Sequence, residues 1–74
     1  MPPQDLDTSG LKCPLPVLKA KKALRALDAG ERLRVIATDP NALNDVPAYC
    51  REAGHRLVEA RTEDARFVFV IEKT

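Results

Sequence analysis

Residues 30–40 read Gly30-Glu31-Arg32-Leu33-Arg34-Val35-Ile36-Ala37-Thr38-Asp39-Pro40, and the expected fold grows outward from them. Leu33, Val35 and Ala37 alternate with Arg34 and Ile36, the two-residue period of a strand with one buried face. Upstream, from Pro14 to about Ala29, Val17, Ala20, Leu24 and Leu27 recur at helical spacing with Ala23 beside them. Gly30 then stands where a left-handed C-terminal stop is expected. Downstream, Asp39 and Pro40 fit the N-cap and first-turn positions of a second helix. That helix is predicted to bury Ala42, Val46, Tyr49, Cys50 and Ala53 and to stop at Gly54, with Pro47 near its start or kinking it.

Further out, Asp5-Leu6-Asp7 reads as a short strand closed by Thr8-Ser9-Gly10, where glycine permits a turn conformation that other residues resist. Residues 1–4 carry two prolines and no apolar pattern and are expected to be loose. His55 to about Thr62 and Arg66 to about Lys73 make a hairpin around the polar turn Glu63-Asp64-Ala65, and Phe67-Val68-Phe69-Val70-Ile71 suggests an interior strand. The order strand, helix, strand, helix, strand, strand packs as a two-layer α/β sandwich with both helices on one face of a single sheet. One domain, 1–74, is expected.

Composition agrees. Seventy-four residues lie at the lower edge of what one hydrophobic core stabilises alone. Apolar residues at 45% and charged residues at 31% suit a soluble globular domain. With a net charge of +1, electrostatic selectivity must come from how charge is distributed. The N-terminus lacks the basic start and apolar run of a secretory signal, and no stretch approaches the roughly 18 apolar residues of a membrane span. A cytoplasmic address is expected, with Cys13 and Cys50 as free thiols.

The chemistry concentrates at Cys13-Pro14-Leu15-Pro16. With Cys13 as N-cap, Pro14 and Pro16 occupy first-turn positions whose N–H groups have no helical partner anyway. The Leu15 N–H is left as the main free donor, aimed at the cap sulfur. The positive end of a helix dipole favours thiolate over thiol, so Cys13 is expected to be partly ionised at neutral pH. Lys12, Lys19, Lys21, Lys22 and Arg25 lie in a stretch, Thr8 to Leu27, that contains no acidic residue, and they form a candidate docking patch for a partner protein. A solitary thiolate so placed suits attack on a donor persulfide and presentation of the acquired sulfur to an acceptor thiol. On this reading no general base, cofactor or metal is needed.

A cysteine in an arbitrary chain is more often buried and inert, and a basic helix face is often simply solvated. Position argues otherwise for Cys13, because a helix start after a glycine turn is a surface site. Cys50 shares a helical stripe with Val46, Tyr49 and Ala53 and is read as a small core group. His55, the sole histidine, follows a helix-stopping glycine and is read as structural. Asp39 is most simply a cap, at the sheet edge where the Cys13 loop should also gather.

Gly10 before Cys13-Pro14-Leu15-Pro16, then Ala37-Thr38-Asp39-Pro40, Asp45-Val46-Pro47-Ala48-Tyr49-Cys50 and Gly54-His55-Arg56-Leu57, together resemble the TusA/SirA-like family of bacterial sulfur carriers over nearly the whole chain. The resemblance implies a βαβαββ sandwich with a four-stranded mixed sheet in the order 1-2-4-3. It implies a sulfurtransferase that accepts sulfur from a cysteine desulfurase or rhodanese as a persulfide on Cys13, with Gly10, Pro14, Leu15, Pro16 and Asp39 as supporting residues. Such a carrier hands the sulfur to a protein with a reactive cysteine and does not turn over independently. Acceptors in the family serve transfer-RNA thiolation, molybdenum-cofactor maturation or sulfur oxidation. Members that serve transfer-RNA thiolation often carry an acidic residue where this chain has Leu15.

Three other readings compete with this one. An RNA-binding or regulatory module would use the basic first helix, but one Tyr, two Phe and near-zero net charge supply few stacking surfaces. A zinc site from Cys13, Cys50 and His55 lacks the close ligand spacing of common sites. A dithiol oxidoreductase lacks its second cysteine.

Overall fold

The computed structural model describes residues 3–74 and contains β1 (Gln4–Thr8), α1 (Leu15–Arg25), β2 (Arg32–Ala37), α2 (Ala42–Ala53), β3 (Arg56–Glu63) and β4 (Arg66–Glu72). The strands form one mixed sheet in the order β1-β2-β4-β3. β1 runs parallel to β2, while β4 is antiparallel to both β2 and β3. β4 is therefore the interior strand its apolar run predicts, and β2-α2-β3 is a crossover into which β4 is inserted. Gln4 pairs opposite Leu33, so the expected loose start does not extend to Gln4; Met1 and Pro2 lie outside the described residues.

The alternation in β2 decides which face is covered. Leu33, Val35 and Ala37 lie opposite Ile71, Phe69 and Phe67 of β4. They share one buried cluster with Ala20 and Leu24 of α1 and Ala42, Val46 and Cys50 of α2. Both helices thus pack on the same face. On the other face, Val68 and Val70 are buried although no helix covers them. Register sets Arg61 and Ile36 beside Val68, and Glu59 and Arg34 beside Val70. The aliphatic stems of these charged residues shield the valines, with Arg61 paired to Glu59 and Glu63, and Arg34 to Asp5. The hairpin loop is tighter than expected, since Glu63 pairs with Arg66 and Asp64 takes a φ of 57°.

α1 ends at Arg25, before the expected Ala29. The reason lies in the C-terminus of the chain. Lys73 Nζ donates to the Leu24 carbonyl at 2.6 Å, and the Gly30 N–H donates to the Lys73 carbonyl at 2.8 Å. Gly30, at φ 91°, is a turn residue tied to the end of β4 and not the residue that closes the helix. α2 does close on its glycine: Gly54 has φ 79°, and its N–H reaches the Cys50 carbonyl. Pro47 sits within α2 and leaves the Leu43 carbonyl without its usual helical donor.

Candidate functional site

The β1–α1 and β2–α2 loops meet at one edge of the sheet. Thr8, fully buried at the end of β1, donates its hydroxyl to the Ile36 carbonyl at 2.6 Å. Gly10, at φ 81°, turns the chain, and its N–H donates to Thr38 Oγ1 at 2.8 Å. The Cys13 N–H donates to Asp39 Oδ2 at 2.8 Å. Asp39 Oδ1 accepts from the Asn41 N–H at 3.0 Å, so one carboxylate ties the cysteine loop to the start of α2. These bonds to the N–H groups of Cys13 and Asn41 hold the Asp39 carboxyl below its usual range.

Three sequence expectations are corrected here. Asp39 is not the N-cap of α2, which is Asn41; Asp39 instead bridges the two loops with both oxygens. Cys13 is not the N-cap of α1. That position is Pro14, following a cis Cys13–Pro14 peptide bond, and α1 has no side-chain cap. The Leu15 N–H is not free, because it donates to the Lys12 carbonyl at 2.9 Å and closes a four-residue turn at the entry to the helix.

A fourth correction concerns the sulfur itself. Burial, a hydrogen bond to the Asp45 carboxylate and the nearby charge of Asp45 and Asp39 push the Cys13 thiol up from 9.0 to about 11. The expected thiolate is a neutral thiol in the free protein. A helix dipole acts over the first turn, whereas two carboxylates stand close to this sulfur and the side chain packs partly against the core. Cys13 is half-buried, so the sulfur is neither sealed in the core nor fully exposed.

Asp45 is a neighbour of Cys13 to which sequence reasoning gave no role. It belongs to the Asp45-Val46-Pro47 segment and stands in the first turn of α2. The available signal was positional: an acidic residue one turn into a helix whose start lies at the same sheet edge as Cys13. Asp45 lines a shallow groove between the helices with Pro14, Val17, Ala48, Tyr49 and Glu52.

Of the remaining candidates, Pro14 and Leu15 are exposed and Pro16 is buried. Lys12, Lys19, Lys21, Lys22 and Arg25 are all exposed, and none forms an ion pair among the described residues. Arg25 stands about 15 Å along the helix axis from Leu15, so the basic row leads away from the cysteine loop. Leu15 and Leu18 are exposed on the same helix, and Leu43 is exposed on α2. Cys50 is 1% exposed and belongs to the core. His55 Nδ1 lies 3.3 Å from the Thr74 N–H, beyond the C-terminal end of α2. No group of three or more His, Cys, Asp or Glu among the described residues is placed to hold a metal ion. Among the described residues no helix is long and apolar enough to cross a membrane.

Comparison with known proteins places the whole described domain among relatives. The family described as Sulfurtransferase TusA matches residues 4–73. The Sulfur carrier protein TusA of Allochromatium vinosum is 48% identical over 71 residues, covering 96% of this chain and 93% of that protein. The crystal structure of a SirA-like protein from Desulfitobacterium hafniense superposes with a TM-score of 0.82 at 26% identity, covering 92% of this chain and 93% of that one. The architecture and the relatives agree: the chain belongs to the TusA sulfurtransferase family.

Proposed function

We propose that the protein is a sulfur-relay carrier that accepts sulfane sulfur from a cysteine desulfurase or rhodanese as a persulfide on Cys13 and passes it to an acceptor thiol. The observation that carries this reading is the placement of Cys13. It is partly accessible, its backbone is held by Asp39, and the second cysteine of the chain is locked in the core. A second reactive thiol nearby would attack the loaded sulfur and discharge it into a disulfide. Isolation lets the cargo persist between partners.

The neutral thiol fits a carrier better than the thiolate expected from the sequence. Oxidation and alkylation follow thiolate character, so a thiol titrating near 11 is inert toward small oxidants while the carrier is unbound. Reaction then depends on a docked partner. The free cations of α1 suit a partner with acidic groups around its own cysteine, and exposed Leu15 and Leu18 add apolar contact area on the same helix. A reducing, cytoplasmic setting suits both free thiols.

The reading is tested by incubating the protein with a cysteine desulfurase, its pyridoxal phosphate and cysteine, then measuring intact mass. One added sulfur is expected on the wild type and on Cys50→Ala, and none on Cys13→Ser. Loading that survives Cys13→Ser contradicts the proposal.

A further inference from the structure

One hydrogen bond leaves a loop free to pivot, whereas two bonds to a common support fix its orientation. The loop that carries Cys13 has two such ties, and they end on consecutive residues. The Gly10 N–H donates to Thr38 Oγ1 at 2.8 Å, and the Cys13 N–H donates to Asp39 Oδ2 at 2.8 Å. The other bonds of the loop are local: the Leu11 N–H closes back to the Thr8 carbonyl at 3.1 Å, and the Leu15 N–H to the Lys12 carbonyl at 2.9 Å. Packing adds little around Gly10 and Lys12, which are exposed and border an open hollow of about 350 Å³ between the two loops. The support beneath Thr38 is firm. It follows Ala37, the buried last residue of β2, which is paired with Thr8 of β1 on one side and Phe67 of β4 on the other. Branching at Cβ restricts the Thr38 side chain to few rotamers, so its hydroxyl oxygen stays where the strand puts it.

Resting on the carrier reading above, we infer that Thr38 is a positioning residue for sulfur transfer: by holding the Gly10 N–H, its hydroxyl oxygen sets the orientation in which the loop presents the Cys13 sulfur to a docked partner. Asp39 alone would hold the loop at Cys13 and leave it to swing about that point. Transfer requires the sulfur to meet the outer sulfur of the donor persulfide along the S–S axis, and a displacement of about 1 Å costs up to roughly a hundredfold in rate. Gly10 itself cannot report on this tie. At φ 81° any side chain there is strained even though a Cβ would meet no neighbour, so a substitution disturbs the turn first. Thr38 carries the acceptor end of the bond without that complication.

The test uses Thr38→Val and Thr38→Ala, which remove the acceptor, and Thr38→Ser, which keeps it. Valine preserves the branched shape, and alanine covers the case that valine packs badly. Single-turnover transfer from a persulfide-charged desulfurase is followed at saturating donor, and the donor dissociation constant is measured separately. The two variants without a hydroxyl should transfer about tenfold more slowly, with a dissociation constant within about twofold of the wild type, because the loop is misoriented while the docking surface is unchanged. Thr38→Ser should transfer within about twofold of the wild type. Amide hydrogen exchange at Gly10 should accelerate in the first two variants and stay slow in Thr38→Ser, which reports the tie independently of any transfer. A hydroxyl with a structural role alone would change the thermal midpoint and leave the transfer rate of the folded protein as it is. Wild-type transfer rates in Thr38→Val or Thr38→Ala with the Gly10 amide freed overturn the positioning role and leave the carrier reading standing, and so does slow transfer in Thr38→Ser with the tie intact. A wild type that takes up no sulfur sinks the carrier reading and the positioning role together.

Discussion

The Asp39 carboxylate holds the backbone of Cys13, with Oδ2 accepting from the Cys13 N–H at 2.8 Å while Oδ1 accepts from the Asn41 N–H at 3.0 Å. The Cys13 loop is thereby fastened to the start of α2. Asp39→Ala removes both acceptors and leaves the side chain of Cys13 untouched. Amide hydrogen exchange at Cys13 and Asn41 should accelerate, and sulfur loading should slow without loss of the sheet. Because the folded carboxyl is held below its ordinary 3.8, this tie is fully present above that value and is lost as pH falls through the lowered one. Titrating the Cys13 amide chemical shift from pH 5 downward checks the sign; a transition above 3.8 contradicts it.

The raised thiol has the opposite pH signature. A group whose folded pKa lies above its unfolded value stabilises the fold below the unfolded value and ceases to do so as pH rises through the folded one. Chemical denaturation should therefore show stability declining between about pH 9 and about pH 11, as Cys13 and the buried Cys50 ionise on unfolding. Cys13→Ser should flatten part of that decline. An unchanged profile in this variant would mean that Cys13 titrates normally in the folded chain.

Much of the fold was legible locally. The alternation Leu33, Val35, Ala37 names the covered face of β2, and the unbroken apolar run from Phe67 to Ile71 marks β4 as interior. What was misread depends on contacts between distant segments. The last residues expected in α1, Ala26 to Ala29, leave the helix where Lys73 from the far end of the chain caps the Leu24 carbonyl and binds the Gly30 N–H, while the Asp28 N–H turns locally to Glu31 Oε1. The protonation state of Cys13 was misjudged for the same reason, because the local cues of helix start and neighbouring lysines favour a thiolate. The deciding carboxylates arrive from the β2–α2 connection and from α2. The turn at Gly10 was readable locally; the bond from its N–H to Thr38 Oγ1 and the approach of Asp45 to Cys13 come from tertiary structure.

Core changes should separate from site changes. Phe69 is 1% exposed at the centre of the sheet, and Phe69→Ala should cost roughly 3–5 kcal/mol. A domain of this size has about 4–11 kcal/mol in total, so thermal denaturation should show a variant partly unfolded at 37 °C. Cys50→Ala, which removes one small buried group, should cost about 1 kcal/mol and leave sulfur loading intact.

The basic row on α1 makes a different prediction. Reversing Lys19, Lys21, Lys22 and Arg25 to glutamate should leave the thermal midpoint nearly unchanged, since exposed unpaired charges contribute little to stability. Association with the donor should weaken, and the salt dependence of wild-type loading should disappear in the variant. Loading rates that match the wild type at low and high salt would remove this face from the docking surface.

The most direct test of the account maps the transferred sulfur to a residue. Protein loaded by a cysteine desulfurase is alkylated, digested without reductant and analysed by mass spectrometry. The account predicts the extra sulfur on the peptide that contains Cys13, its loss when an acceptor thiol protein is added, and an unmodified peptide for Cys50. Sulfur found on Cys50, or on Cys13 but never released to any acceptor thiol, would contradict it.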